Sequence, residues 1–364
     1  MLTSNDMVQF RVNLKDFRNT DFIAKSIPNL TENQVLVKIY KFAFTANNIS
    51  YVNLGESFGY WKFFPTEDNF GIPPVWGFGK ILFSQNPELK EGETIYGFFP
   101  AASHVILETG KIRPIGFTDV SSHRLKLPAI YNFYNINSND SLYRIDRENI
   151  QLVYKPLFTT AFLLDDFFSD NHFFGAENII ITSASSKTAL ALAYLCKARK
   201  EKENSRIKLI ALSSNRNLDF IKEQNYFDEV ISYENLNSLP KEKSAIIDFA
   251  GNKNILSKLE NFLADNLNYL CLVGLVHWEN KLESGEESKG KVFFAPSQMK
   301  KRAKDWGLDG FQNKLAENYL DFIERASHWI KFIEINNSEE FSKLYLDTLE
   351  GRLKPDNGYI VSFD

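Results

Sequence analysis

Short apolar runs alternate with helical segments over residues 178–276, and this alternation constrains the fold more than any other feature. The runs NIIIT, IKLIAL, AIID and YLCLVGLV are short and rich in branched aliphatic residues, and the segments 187–200, 217–224 and 255–266 between them have helical spacing. Strands and helices that alternate at these lengths predict βαβ units. The sequence therefore predicts an α/β domain built on a doubly wound parallel sheet with helices on both faces.

The first 125 residues follow a different pattern. VLVKIYKFAF at 34–44 alternates apolar and polar side chains, and PPVWGFGKILF at 73–83 and the stretch at 87–99 add further strands separated by turns. Frequent turns and the lack of a long helical pattern predict a β-rich domain. A chain of 364 residues also exceeds the usual size of one core, so two domains are expected.

Composition narrows the class of protein. The net charge of −4 argues against a nucleic-acid surface, which is normally basic. No apolar run is long enough for a membrane span, and the first 17 residues lack the features of a signal peptide, so the expected compartment is the cytoplasm. Cys196 and Cys271 lie in apolar segments and are expected to be buried thiols. The 32 phenylalanines favour an aromatic core over an aromatic binding face.

The first strand of the predicted parallel sheet leads into a turn of small residues and then a helix. Backbone N–H groups at the start of a helix, together with the helix dipole, favour an anion such as a diphosphate. The glycines of G-x-G-x-x-G are replaced by Ser183, Ser186 and Ala189, so an ordinary strand–turn–helix remains the alternative. The predicted anion-binding residues are Ser183, Ala184, Ser185, Ser186, Lys187 and Thr188. A P-loop is excluded because Ile181 and Ser186 stand where it requires glycines.

The end of the second strand bears on the choice of cofactor. Enzymes that bind NAD usually place an acidic residue there for the ribose 2′-hydroxyl, whereas this chain has Ser213, Ser214, Asn215 and Arg216. Hydroxyls and a guanidinium could bind a 2′-phosphate, so NADP(H) is favoured over NAD(H). The alternative is that these residues cap the next helix.

Several segments together resemble the medium-chain dehydrogenase/reductase superfamily, and within it the zinc-free, quinone-oxidoreductase-like enzymes. The similar segments occur in the right order over residues 34–276: VLVKIYKFAFTANN, EGETIYGFF, ENIIITSASSKTALALAYLCKAR, IALSSNRNLDFIKEQNYFDEVISY, AIIDFAG and LCLVGL. FTANNISY, GYWKFFP, PVWGFG, PLFTTAFLLDDFF, VHWEN and FFAPSQMKKRAKDWG more closely resemble an uncharacterised branch, a domain of unknown function.

This resemblance implies a Rossmann-type domain over residues 156–299 and a β-rich GroES-like domain formed by 1–155 and 300–364. It implies NADP(H) as the cofactor, with Gly251 and Gly274 adding to its site. The partner implied is a small-molecule substrate, with a homodimer as a candidate assembly. Catalytic zinc needs about three protein ligands, but both cysteines lie in the nucleotide domain, so zinc-independent chemistry is expected.

Candidate catalytic residues lie in three segments. Relatives place an Asn or Tyr near the nicotinamide, which suggests Asn48 or Tyr51 in a predicted loop; holding that loop is the alternative role. Tyr60 could donate a proton or simply pack in an aromatic cluster. His277 follows the fifth strand.

Two further segments could contact the cofactor or an anion. Thr160, placed before a helix, could contact the nicotinamide or cap that helix. The basic run from Lys300 to Lys304 predicts either a solvated helix face or a site for an anion.

The leading functional hypothesis is an NADPH-dependent reductase of a carbonyl, enone or quinone-like substrate. The main alternative is a catalytically silent NADPH-binding sensor or interaction protein of the same fold. A non-redox enzyme has no supporting motif, since the chain contains no G-x-S-x-G elbow.

Overall fold

A computed structural model describes residues 6–67, 69–274 and 290–363. The chain divides into two compact units. Unit 1 comprises Met1–Val153 and Ile330–Asp364, and unit 2 comprises Tyr154–Trp329. The unit boundaries therefore lie at 153/154 and 329/330.

Unit 1 is β-rich, as predicted. Its strands are β1 Asp6–Asn13, β2 Thr20–Ser26, β3 Gln34–Phe44, β4 Phe70–Gly71, β5 Pro74–Ser84, β6 Thr94–Pro100, β7 His104–Arg113, β8 Gly116–Asp119, β9 Phe133–Ile136, β16 Lys331–Ile335 and β17 Asn357–Val361. Eight of them form a sheet in the order β16-β17-β3-β5-β6-β9-β8-β7, and an additional β3–β7 pairing closes six of the strands into a barrel. β2, β1 and β4 form a separate antiparallel sheet.

Unit 1 also contains α1 Ala46–Asn53 and α7 Ser338–Leu349. The sequence predicts a loop at residues 47–51, and this prediction is wrong. Thr45 and Asn48 form a capping box that begins α1 there. Such a box satisfies backbone N–H groups that a helix start leaves without partners, so the short helix is stable despite its weak apolar periodicity.

Unit 2 contains the predicted parallel sheet. Its strands are β10 Asn178–Ile181, β11 Lys208–Ser213, β12 Glu229–Ser232, β13 Ser244–Asp248, β14 Leu267–Leu272 and β15 Lys291–Val292. They lie in the order β12-β11-β10-β13-β14-β15, and every pairing is parallel. All four residues of β10 are buried, as expected for a strand covered on both faces. The order reverses at β10, the topological switch point where such sheets bind ligands.

The helices of unit 2 are α3 Lys187–Glu203, α4 Leu218–Gln224, α5 Lys253–Leu263 and α6 Ala295–Ser327, and α2 Glu148–Asp170 contains the first unit boundary. The sequence predicts the helix at 158–168, ten residues too late at its start, because Pro156 normally ends a helical pattern. The sequence predicts a helix and then a strand over residues 311–335, whereas α6 already starts at Ala295. It breaks at Gly307, which has φ 72 and ψ 166.

The aromatic residues form a core, as the composition favours. Phe10, Phe42, Phe44, Phe98 and Phe99 are each at most 1% exposed. No helix among residues 6–67, 69–274 and 290–363 is long and apolar enough to cross a membrane.

Candidate functional site

The strand–turn–helix predicted to bind an anion is present in unit 2. β10 ends at Ile181, residues 182–186 form the turn (the phosphate turn), and α3 begins at Lys187. Ser186 is the N-cap of α3, and its hydroxyl accepts a hydrogen bond from the Ala189 N–H at 3.3 Å. The N–H groups of Lys187 and Thr188 occupy the first helical positions, which the helix's own hydrogen bonds cannot use. This arrangement gives the turn the chemistry of an anion site.

The amide groups within the phosphate turn are held by neighbouring residues. The Ser183 N–H donates to the Tyr233 hydroxyl at 2.7 Å, and the Ala184 N–H donates to the Leu212 carbonyl at 3.1 Å. Asn217 donates its side-chain amide to the Ser185 hydroxyl at 2.9 Å. The turn is thus fixed by residues in β11, after β11 and after β12, although it lacks the expected glycines.

A buried carboxylate lies beside the turn. Asp248 ends β13, is 1% exposed, and accepts hydrogen bonds from the Thr182 hydroxyl and the Gly251 N–H, the latter at 2.7 Å. The Phe249 N–H donates in turn to the Thr182 hydroxyl at 3.1 Å. Asp248 therefore ties β10 to β13 at their carboxyl ends. Sequence reasoning missed this role because the partners are about 66 positions apart in the chain and only strand pairing brings them together.

The two predicted glycines serve the backbone geometry of this edge. Gly251 has φ 70, a conformation that favours glycine. At Gly274 an added Cβ would lie 2.0 Å from the Phe249 carbonyl oxygen. Two backbone segments thus approach each other at a distance that only glycine allows.

The loop after β11 carries the residues predicted to select NADP(H). Ser213 is buried, Ser214 is half-buried and Arg216 is exposed. Neither Ser214 nor Asn217 caps the following helical turn through its side chain. The structure adds one residue that the sequence argument did not consider: Glu234, which follows β12, accepts a hydrogen bond from the Asn215 side chain at 2.6 Å. A carboxylate does reach this loop, from the neighbouring strand.

In unit 1, both ends of the Asn48 side chain are engaged. Its oxygen accepts from the Thr45 N–H at 2.8 Å, and its NH₂ group donates to the Pro74 carbonyl at 3.0 Å. Asn48 is 4% exposed. This geometry matches the alternative that Asn48 holds the local backbone.

Tyr51 and Tyr60 belong to one aromatic cluster in unit 1. Its buried members are Tyr51, Tyr60, Phe63, Phe64, Ile72, Phe98 and Tyr131. The hydroxyls of Tyr60 and Tyr131 are 3.1 Å apart, and the Trp76 indole N–H donates to the Tyr51 hydroxyl at 3.2 Å. Sequence reasoning missed Tyr131 because nothing in its local sequence marks it.

Burial controls the ionisation of these phenols. It raises the pKa of Tyr51, of Tyr60 and of Tyr131 above the ordinary value, because a phenolate loses its hydration there. All three therefore stay neutral at pH 7 and can donate a hydrogen bond. Releasing a proton to form a phenolate is disfavoured.

One other predicted residue, Thr160, is not where the sequence places it. Thr160 lies inside α2, where its hydroxyl donates to the Pro156 carbonyl at 3.1 Å, so its expected position before a helix is wrong. His277 lies outside the residues that the structure describes.

The basic run near residue 300 is partly buried. Arg302 is 9% exposed and forms ion pairs with Asp166 at 2.6 Å, Asp170 at 2.9 Å and Asp305 at 2.9 Å. Arg302 is therefore neither on a solvated helix face nor an open site for an anion, because three carboxylates next to it already neutralise its charge. Among residues 6–67, 69–274 and 290–363, no group of three or more His, Cys, Asp or Glu side chains could hold a metal ion.

A family model matches residues 42–354, which is most of the chain, and its description is "Protein of unknown function (DUF2855)". The chain belongs to this family. Among curated proteins, no sequence matches.

Solved structures show the fold that this family shares with better-known proteins. CurA from Vibrio vulnificus in complex with NADPH matches with a TM-score of 0.65 and 12% identity, covering 98% of this chain and 99% of that chain. A putative NADPH:quinone reductase from Mesorhizobium loti (mll3093) matches with a TM-score of 0.57 and 11% identity over 100% of both chains.

The yhdH oxidoreductase from Salmonella enterica in complex with NADP matches with a TM-score of 0.54 and 10% identity, covering 98% of this chain and 100% of that chain. The predicted fold class, a Rossmann-type parallel sheet plus a β-rich GroES-like domain, is confirmed.

Proposed function

We propose that this chain is an NADP(H)-dependent oxidoreductase that reduces a carbonyl, enone or quinone-like substrate. The observation that carries the proposal is the phosphate turn at the switch point of the sheet, where Ser186 caps α3 and only small side chains separate β10 from the helix. These residues fit a diphosphate, because its charge meets the first N–H groups and the dipole of α3. The NADPH in CurA and the NADP in yhdH, two proteins of the same fold, support this assignment.

The loop after β11 supports NADP(H) over NAD(H). Arg216 is exposed there and can pair with a 2′-phosphate, and the half-buried Ser214 offers its hydroxyl as a further donor. Glu234 acts in the opposite direction, since its carboxylate repels a phosphate and could instead accept from a ribose hydroxyl. The proposal therefore requires the guanidinium to outweigh the carboxylate.

In hydride transfer the protein binds and orients the reactants and stabilises developing charge. NADPH, when bound, supplies the hydride to an electrophilic carbon of the substrate. Unit 1 carries the residues that would meet the substrate, and the Tyr51 and Tyr60 phenols would donate hydrogen bonds to a developing oxyanion. The oxyanion would then take its proton from water, and the phenols would keep theirs. Their raised pKa values suit donation without loss of the proton. No step assigned here uses zinc.

The test is a titration of the full chain with NADPH and NADH, followed by intrinsic tryptophan fluorescence. Because a hydrogen bond between charged groups is strong, Arg216→Ala should weaken NADPH binding by about tenfold and leave NADH binding nearly unchanged. Arg206→Ala is a matched control, since this exposed arginine precedes the amino end of β11. If neither nucleotide binds at millimolar concentration the proposal fails, and equal losses for both nucleotides would remove the assigned phosphate contact.

A second candidate function is a nucleotide sensor that performs no hydride transfer. It is favoured by the engagement of the candidate catalytic groups: Asn48 uses both ends in local hydrogen bonds, and the Tyr60 and Tyr131 hydroxyls bond each other. Absorbance at about 340 nm separates the two candidates when NADPH is mixed with a panel of quinones, enones and aldehydes. Binding of NADPH without consumption on any substrate supports the sensor.

Several properties remain predictions from the sequence. They are the roles of His277 and Thr160 as site residues, the domain limits 1–155, 156–299 and 300–364, the cytoplasmic location and the homodimer. The chain divides at 153/154 and 329/330, so the proposed substrate residues belong to unit 1 and the proposed nucleotide residues to unit 2. We propose that these units have those two roles.

A further inference from the structure

We infer that Tyr233 is a positioning residue for the nucleotide: its hydroxyl holds the phosphate turn in a left-handed conformation that Ser183 would otherwise leave. The inference rests on the proposed function, because the phosphate turn is the proposed diphosphate site. It assigns to Tyr233 a role that acts through the backbone of Ser183.

The backbone of Ser183 is the first observation. Ser183 has φ 46, in the left-handed region that residues with a Cβ atom disfavour. Glycine adopts this region without a steric cost and is the residue expected in such a turn. A serine at this position therefore needs other contacts to keep the turn in shape.

The contacts of Ser183 are the second observation. Its N–H donates to the Tyr233 hydroxyl at 2.7 Å, a bond between residues 50 positions apart, and the Ser183 and Thr182 side chains also interact with this hydroxyl. The Ser183 carbonyl accepts from the Ser186 N–H at 2.8 Å. Tyr233 thus holds the N–H of Ser183, and the carbonyl of the same residue bonds Ser186, the N-cap of α3.

The surroundings of Tyr233 are the third observation. Its ring packs against the buried apolar cluster that includes Ile231, Leu236 and Leu239, and this packing limits the movement of the hydroxyl. Burial raises the pKa of this phenol, so the hydroxyl stays neutral at pH 7. A rigid, neutral acceptor is therefore presented to the Ser183 N–H at all physiological pH values.

The conformation of Ser183 therefore depends on a residue far from it in the sequence. The G-x-G-x-x-G turn of such sheets uses glycine, which adopts the left-handed conformation without a steric cost. This chain has a serine there, and a residue after β12, two strands away from β10 in the sheet, stabilises its conformation. Removing the hydroxyl should let Ser183 relax and move the N–H groups that meet the diphosphate. Replacing Ser183 by glycine should make the hydroxyl dispensable.

The experiment is a four-protein cycle in the full chain: wild type, Tyr233→Phe, Ser183→Gly and the double variant, each titrated with NADPH and with NADH. We expect Tyr233→Phe to raise the Kd of both nucleotides about three- to tenfold, the effect of one lost hydrogen bond. In the Ser183→Gly background the same change should raise Kd less than about twofold. Tyr194→Phe, which removes the hydroxyl that bonds Asp321 elsewhere in unit 2, should leave Kd unchanged.

Several results would overturn the inference. An equal loss in both backgrounds would mean that Tyr233 does not act through the conformation of Ser183. A loss confined to NADPH would mean that the phenol contacts the 2′-phosphate directly. No loss in Tyr233→Phe would mean that the turn holds itself. If the wild type binds neither nucleotide, the proposed function fails. Hydrogen exchange at the amide of residue 183 then tests the positioning contact alone, and equal protection in wild type and Tyr233→Phe would refute it.

Discussion

The aromatic cluster of unit 1 and the phosphate turn of unit 2 are built by opposite means. The aromatic cluster is a set of large rings around Phe98, whose neighbours include Tyr60, Tyr131 and Trp76 at centroid distances from 4.6 to 6.5 Å. The phosphate turn consists of small residues held by backbone hydrogen bonds and by close approach of main chains. Burial of apolar area therefore stabilises the aromatic cluster, whereas backbone hydrogen bonds and close main-chain contacts stabilise the phosphate turn.

The largest expected effect is on the aromatic cluster. Phe98→Ala removes a fully buried ring from its centre and should lower the free energy of unfolding by about 4 kcal/mol, from lost burial and the cavity left behind. Chemical denaturation monitored by circular dichroism measures this loss. Phe83→Ala, at a side chain 58% exposed, is the matched control. A loss below about 1 kcal/mol for Phe98→Ala would show that burial does not hold the cluster.

The second effect tests the close approach of main chains. Gly274→Ala would place a Cβ atom 2.0 Å from the Phe249 carbonyl oxygen, so backbone must shift, and we expect a loss of about 3 kcal/mol. At Gly110 in unit 1 the nearest atom to an added Cβ is a methyl carbon of the half-buried Val120, at 2.9 Å, and no backbone atom is among its nearest neighbours. Thermal unfolding should therefore show a smaller loss for Gly110→Ala. Equal losses would show that the close approach of main chains at Gly274 has no special cost.

The third effect is a loss of stability at high pH from the buried phenols. Burial raises the pKa of Tyr134 to about 12, against an ordinary value of 10.0 in the unfolded chain. The contribution of the neutral Tyr134 phenol to the free energy of unfolding is fully present below pH 10. It is lost as the pH rises toward 12, because the unfolded chain releases the proton first. Two pKa units correspond to about 2–3 kcal/mol. Urea unfolding midpoints across this pH range measure the loss, and midpoints that do not fall would contradict it.

A smaller effect is expected from one hydroxyl in the aromatic cluster. Tyr60→Phe removes the bond to the Tyr131 hydroxyl while keeping the ring, and should cost about 1 kcal/mol. If Tyr60 also donates to a substrate oxyanion, the variant should lose kcat on any substrate that the panel reveals, with little change in the Kd of NADPH. Unchanged turnover would limit Tyr60 to packing.

The smallest effect concerns the edge of the nucleotide site. Glu234→Gln removes a negative charge from the loop that carries Arg216, and should tighten NADPH binding about two- to fivefold while NADH changes little. Glu229→Gln is a matched control, because that carboxylate lies at the start of β12 and pairs with Lys208. Weaker NADH binding in Glu234→Gln would instead indicate that the carboxylate binds the ribose.

The secondary structure was predictable where periodicity is strong. β3, β10, α3 and β13 lie where their patterns predict them, since each either alternates or is continuously apolar. α1 and the start of α2 were missed because a capping box and a helical Pro156 depend on local hydrogen bonds and on neighbours, which periodicity does not encode.

The candidate site was predictable only in part. Ser183 to Thr188 could be named because the turn is contiguous in the chain and follows a recognisable strand. Tyr131, Tyr233, Glu234 and Asp248 could not, since each acquires its role from a residue on another strand or loop. Arg302 shows the same limit, because its three carboxylate partners decide whether its charge is available.

Local patterns in the sequence predict the β-rich and parallel-sheet regions, most of their strands and helices, and the position of the turn before α3. These properties follow from periodicity and from the chirality of βαβ connections. Three features depend on the folded structure: which side chains hold that turn, which charges reach the loop after β11 and which phenols share a hydrogen bond. Those contacts join residues far apart in the chain, and their strength depends on distance and burial, which exist only once the strands have paired.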